Sequence, residues 1–178
     1  GRGRESSPKV VALWKKLERA ASLCAARHTA ADTGIHGIRY EWERGIMWLR
    51  LPSGRRMAYF NAEYRDFPRR VGTGKCLTYM VLNQTTRKWE RVETFGGRLV
   101  ENAVQAIARD CLREAMLNLE HDGWDMRFTV HDEIVCSEPE HSGRGWERMA
   151  AQMAMPIDWA PGLLLRADGY ECEFYQKD

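Results

Sequence analysis

Behind Ser7-Pro8, an N-cap and first-turn pair, apolar residues recur with helical spacing at Val10, Leu13, Trp14, Leu17 and Ala21. They predict a helix from Pro8 to about His28. The stretch from Gly34 to Gly37 breaks that pattern. Ile38 to Leu51 then alternates imperfectly as a strand, and Pro52-Ser53-Gly54 returns the chain through Arg55 to Phe60 as a hairpin. A basic loop with Pro68, Arg69 and Arg70 leads to a second hairpin, Cys76 to Leu82 and Arg87 to Val92, around the polar turn Asn83-Gln84-Thr85-Thr86. After Gly96-Gly97, the segment Arg98 to Glu120 carries the strongest pattern, with Val100, Val104, Ile107, Cys111 and Ala115 as the apolar stripe of an amphipathic helix. Gly123 ends it. Met126 to Val130 and Ile134 to Cys136 read as two short buried strands around His131-Asp132-Glu133. A last helix, Gly145 to Met155, stops at Pro156, and the tail from Leu163 to Tyr175 reads as extended. Helices beside antiparallel hairpins predict an α+β fold, with no internal repeat and no linker between independent domains.

Length and composition fit this. The 178 residues, 44% hydrophobic and 29% charged, suffice for one ordinary domain or one lobe of a larger one. No apolar run approaches the ~20 residues of a membrane span, and no secretory signal opens the chain, so a soluble protein of the cytoplasm, the host's if phage-encoded, is expected. The five cysteines are far apart and lack the paired spacing of a zinc site. The opening Gly-Arg-Gly-Arg without a Met suggests a trimmed or fragmentary start.

Charge changes the picture more. Residues 1–91 hold 19 Lys and Arg against 8 Asp and Glu, whereas residues 92–178 hold 8 against 17. Such polarity suits a chain whose first half lies on a polyanion while its second half gathers carboxylates around a cation, although chance segregation of solvated charge gives the same counts.

Two features carry candidate chemistry. Arg98, Asn102, Gln105, Arg109 and Arg113, spaced four, three, four and four, form one polar stripe on the Arg98 helix, expected opposite its apolar one. All are long-reach donors suited to the acceptors that every base pair presents in the minor groove, and all equally suit plain solvent. The second feature is Val130-His131-Asp132-Glu133-Ile134-Val135. Adjacent acids between buried strands raise each other's pKa unless a cation neutralises them, and magnesium is commonly held by one or two carboxylates plus substrate phosphates. A solvated β-turn would look the same.

The ordered set Leu51-Pro52-Ser53-Gly54-Arg55-Arg56, then Phe95-Gly96-Gly97-Arg98-Leu99-Val100-Glu101-Asn102-Ala103-Val104-Gln105-Ala106-Ile107-Ala108-Arg109-Asp110, then Val130-His131-Asp132-Glu133, resembles the C-terminal part of phage-type family A DNA polymerases. The similarity runs from about Ser7-Pro8 to Trp159-Ala160-Pro161-Gly162 and Tyr175-Gln176-Lys177. It implies part of a polymerase palm, antiparallel strands with packed helices, plus part of the fingers, in an incomplete right hand. Residues 1–36 would be a fingers-type segment, 37–92 a basic hairpin connector between fingers and palm, and 93–178 the C-terminal part of the palm.

His131-Asp132-Glu133 would be the third polymerase motif. The resemblance makes Asp132 a ligand of catalytic Mg2+, Glu133 an acidic neighbour and His131 a contact to the primer terminus. Gln105, helped by Asn102 and Arg98, would touch the nascent pair from the minor groove, while Arg109, Arg69 and Arg70 join the DNA-binding set. Partners would be primer-template DNA, deoxynucleoside triphosphates and a missing N-terminal polymerase segment, with no membrane.

That segment would hold the other metal-binding Asp, the nucleotide-gripping helix and the thumb. Two-metal phosphoryl transfer needs carboxylates on both sides of the metal pair, so the isolated chain is expected to be inactive. Two other readings stay open: a non-catalytic DNA-binding remnant, and a metal-dependent nuclease using Asp132 and Glu133 with Asp125 or Glu138.

Overall fold

A computed structural model describes residues 7–68 and 72–175, and its chain forms an α+β fold. Helix α1, Pro8–Arg27, is followed by strands β1 (Ala31–Ile35), β2 (Ile38–Glu43), β3 (Ile46–Arg50), β4 (Arg56–Pro68), β5 (Thr73–Leu82) and β6 (Trp89–Thr94). Helix α2, Gly96–His121, leads to β7 (Met126–Val130), β8 (Glu133–Cys136) and helix α3 (Trp146–Met153). The chain divides into two compact units, Gly1–Ala106 and Ile107–Asp178, and the division falls inside α2. None of the described helices is long and apolar enough to cross a membrane.

In the first unit β1 to β6 form one antiparallel sheet in chain order. Tyr40, Met47, Leu49 and Tyr59 are buried from its strands, and Leu17, Ala20, Ala21, Cys24 and Ala25 from the α1 face packed on it. Helix α1 stops at His28, whose left-handed backbone (φ 52°) ends the hydrogen-bond ladder and lays its ring on Trp42, centroids 4.1 Å apart. Burial raises the Tyr40 phenol well above its ordinary value and lifts the Cys24 thiol to about 11.

Three expectations change here. The stretch between the first helix and Ile38 holds strand β1, paired to β2, despite its Asp32 and Gly34. The single strand expected over 38–51 is two, because Arg44 and Gly45 both take positive φ (52° and 76°), the backbone of a tight two-residue hairpin turn. Strand β4 does not end at Phe60. A register shift between Phe60 and Glu63, with Asn61 at φ 45°, inserts a bulge and carries pairing on to Pro68.

Helix α2 starts against α1. A Cβ on Gly96 would lie 2.6 Å from the Trp14 carbonyl oxygen, and the Gly96 N–H donates to Glu18 Oε2 at 3.1 Å. Its buried positions are Leu99, Ala103, Ala106, Asp110, Ala115 and Leu119. This corrects the expected apolar stripe: Val104 is exposed and Val100, Ile107 and Cys111 are half-buried. Alanines at 103, 106 and 115, with Leu99 and Leu119, take most of the inner face that branched residues were expected to fill.

In the second unit β7 and β8 pair with each other as a two-stranded ribbon. Neither strand has a buried residue, which corrects the expectation of two buried strands. Helix α3 follows, and the remaining described tail, residues 154–175, contains no strand or helix.

Candidate functional site: an acidic hairpin turn and a polar helix face

The ribbon register pairs Val130 with Glu133, leaving His131 and Asp132 as a two-residue turn. His131 takes φ 54°, a left-handed conformation in which His is enriched among non-glycine residues, while Asp132 does not. Positive φ at the first central residue alone is the pattern of tight hairpin turns whose twist matches the flanking strands. The sequence thus puts Asp132 at the tip of the ribbon and Glu133 at the first rung beside it. All three side chains, His131, Asp132 and Glu133, are exposed. None has a hydrogen-bond or ion-pair partner among the described residues.

Exposure alters the electrostatic argument. In water the repulsion between two exposed carboxylates is only about 1 kcal/mol at ~4 Å, so this turn does not by itself require a cation. What it offers is availability: hard oxygen ligands, unpaired among the described residues, at a ribbon tip. Among the described residues no group of three or more His, Cys, Asp and Glu gathers as a metal cage. Asp132 and Glu133 fit Mg2+ in its usual mode, one or two carboxylates with the remaining positions left to water and phosphate.

The base of the ribbon is organised differently. Arg127 donates to Asp125 Oδ2 at 2.5 Å, and Glu138 Oε1 accepts the Asp125 backbone N–H at 3.2 Å with Arg144 at 3.9 Å. Asp125 is a full strand away from the turn, roughly 16 Å at 3.3 Å per residue over five residues. Neither acid joins Asp132 and Glu133, contrary to the ligand set imagined for a nuclease. The base is further fixed by Asp122, which accepts from the Arg148 guanidinium (2.7 Å to Oδ1) and from Trp124 Nε1 (3.0 Å). Its hydrogen bond with Arg148 lowers the Asp122 carboxyl below the usual range.

The helix face is displaced from where the pattern put it. Arg98, Gln105, Arg109 and Arg113 are exposed, but at 3.6 residues per turn they lie about a quarter turn from the Leu99-Ala103-Ala106-Asp110 stripe, not opposite it. Asn102 is half-buried and donates from Nδ2 to the Tyr59 hydroxyl at 3.2 Å. Gln105 Nε2 donates to Glu101 Oε1 at 3.3 Å on the same helix. The Arg98 guanidinium stands 5.9 Å from the centre of the Phe95 ring, and Arg113 lies 3.6 Å from Glu114. Arg55 braces the helix from the hairpin, its Nη2 donating to the Ala106 carbonyl at 3.0 Å. Tyr59 and Arg55 had not been singled out for this face. Their closeness to the Gly54 turn that reverses the chain was the available signal. Arg69 and Arg70 lie outside the described residues.

A DNA polymerase of Bacillus phage SP02 is 38% identical to this chain over 175 residues, 98% of the chain and 26% of the phage protein. The chain therefore spans about a quarter of that relative's length. This bears out the resemblance to a phage DNA polymerase drawn from the motifs. No family model matches the chain, and no solved structure matches it at a significant level.

Proposed function

We propose that the chain is the C-terminal palm and fingers part of a family A DNA polymerase, working in template-directed addition of deoxynucleotides to a primer 3′ end together with a segment that carries the remaining motifs. The observation that carries this reading is Asp132 in the two-residue ribbon tip with Glu133 on the first rung beside it, both unpaired among the described residues, in a chain similar along 98% of its length to a phage DNA polymerase. In it residues 1–36 belong to the fingers, 37–92 connect fingers to palm, and 93–178 complete the palm.

Asp132 would hold Mg2+, with Glu133 beside it, and a Mg2+ pair would supply charge neutralisation at the transferring phosphoryl group. His131 would contact the primer terminus. Gln105 and Arg98 would donate to minor-groove acceptors of the nascent pair, with Asn102 held in place by Tyr59. Arg109, with Arg69 and Arg70, would contribute positive charge toward the DNA backbone. Two carboxylates provide one side of a two-metal site, so the other ligands come from the complementing segment.

The test is primer extension with primed template, the four deoxynucleotides and magnesium. The chain alone is expected to leave the primer unchanged, and the chain mixed or fused with a complementing segment to extend it. A complemented enzyme indifferent to loss of Asp132 would refute the assignment.

A further inference from the structure

Away from the acidic turn, the first unit has an open groove of about 750 Å³ lined by α1 and by residues of β4 and β5. Its helix wall is cationic, formed by Lys15, Arg19 and Arg27, with Lys75 on β5 and Tyr64 on β4. Lys15, Arg19 and Arg27 are exposed, and none has an ion-pair or hydrogen-bond partner among the described residues. The acid lining the same groove, Glu18, is engaged by the Gly96 N–H. Three cations against one carboxylate leave the helix wall net positive, and a polyanion in the groove lowers the repulsion among them.

Geometry narrows the polyanion. Lys15 and Arg27 are twelve residues apart, about 18 Å along the helix, a span that reaches several consecutive phosphates of one nucleic-acid strand. The Tyr64 ring, 44% exposed beside these cations, gives a surface for a base to stack on. A base inside a duplex cannot use such a ring, and an acidic peptide has no need of one. We propose that this groove binds a single-stranded polynucleotide, with phosphates along Lys15, Arg19 and Arg27 and a base against Tyr64. The proposal concerns binding and does not depend on the polymerase reading.

The test uses the whole chain and a dye-labelled deoxythymidine 12-mer, with binding followed by fluorescence anisotropy over a range of salt. Lys15→Ala with Arg19→Ala should flatten the slope of log affinity against log salt by about 1.4, two phosphates at about 0.7 each. Tyr64→Ala should weaken binding by about 5- to 150-fold with the slope unchanged. The control, Lys16→Ala with Lys88→Ala, removes equal charge from the same helix and a distant turn, outside the groove, and should change neither. Alanine favours helix, so the groove variant should keep its fold, which a thermal melt checks. Equal losses in the two double variants, or Tyr64→Ala binding like the parent, would overturn the proposal. Displacement of the 12-mer by poly-glutamate at equal charge concentration would overturn the choice of ligand.

Discussion

Asn102 of α2 donates its amide to the hydroxyl of Tyr59 on β4, 3.2 Å away. Tyr59 is 2% exposed, and its ring stands edge-on to Tyr79 with centroids 5.0 Å apart. The bond therefore ties the polar face of the helix to the interior of the sheet. An amide fixed in this way turns Asn102 from a free surface donor into a residue whose position is set from below.

Tyr59→Phe removes that acceptor while keeping the ring. Loss of about 0.5–1.5 kcal/mol is expected by urea unfolding, the net worth of one hydrogen bond. The pH dependence gives a second reading. Burial lifts the Tyr59 phenol from 10.0 to about 12, with the Asn102 hydrogen bond opposing and Tyr79 adding to the shift. Between those values the unfolded chain releases a proton that the folded chain keeps, so stability should fall as pH rises from 10 to about 12. Tyr59→Phe should lessen that fall, Tyr40 still contributing its part. An unaltered pH profile in the variant would contradict the burial of this phenol.

The start of α2 gives a contrast between two neighbouring glycines. Alanine at Gly96 would push its Cβ to 2.6 Å from the Trp14 carbonyl oxygen, backbone that cannot swing aside. Gly96→Ala is expected to destabilise by about 1–3 kcal/mol, more than the helix propensity gained. At Gly97 the nearest obstacle is the Phe95 ring at 3.0 Å, an exposed side chain free to move. Gly97→Ala should therefore be neutral or stabilising by up to about 1 kcal/mol. Thermal denaturation of both variants decides it, and similar losses at the two sites would refute the close approach of α1.

Periodicity located α1 and α2, Pro156 marked the end of α3 to within a few residues, and the apolar runs on either side located the acidic turn to within a residue. Periodicity failed where backbone conformation overrides residue preference. Arg44-Gly45 makes a hairpin turn without the Asn-Gly or Asp-Gly that usually announces one, so β2 and β3 read as one strand. The bulge at Asn61 left β4 looking finished at Phe60. On α2 the buried residues include Ala103 and Ala106 and not Val104, so side-chain size alone misplaced the inner face. The candidate site was legible as chemistry and not as environment. His131-Asp132-Glu133 and the Arg98 stripe could be picked out from residue type, whereas the exposure of the ribbon and the anchoring of Asn102 by Tyr59 depend on partners distant in sequence.

Asp132 provides the direct test of the acidic tip. Asp132→Asn keeps size and polarity but removes the charge that a magnesium ion would need, and an exposed turn tolerates it structurally. In a complemented enzyme it should lower the turnover rate by several orders of magnitude while duplex affinity, measured by anisotropy, changes little, because the loss falls on the transition state. Glu133→Gln should cost less. Near-normal turnover of Asp132→Asn, or a matching loss of affinity, would remove Asp132 from the metal site.

Gln105 separates sequence-tolerant grip from simple surface charge. It is exposed and uncharged, and among the described residues it is held only by Glu101 on its own helix at 3.3 Å, so its loss should leave the fold intact. Every base pair presents an acceptor in the minor groove, purine N3 or pyrimidine O2, and a donor aimed there binds all correct pairs alike. Gln105→Ala should therefore slow extension by a similar factor on all template sequences, and it should blunt discrimination against mismatched primer ends, since a mispair displaces the acceptor. It should not alter the salt dependence of duplex binding, because no phosphate contact is lost. Arg109→Ala is the counterpart. An exposed cation neutralising one phosphate contributes about 0.9 to the slope of log affinity against log salt, so that variant should flatten the slope and leave mismatch discrimination unchanged. Both variants are compared with the parent in the complemented enzyme, on matched and mismatched primers over a range of salt. If Gln105→Ala matched the parent in extension and discrimination, this face of α2 would be no more than a solvated surface.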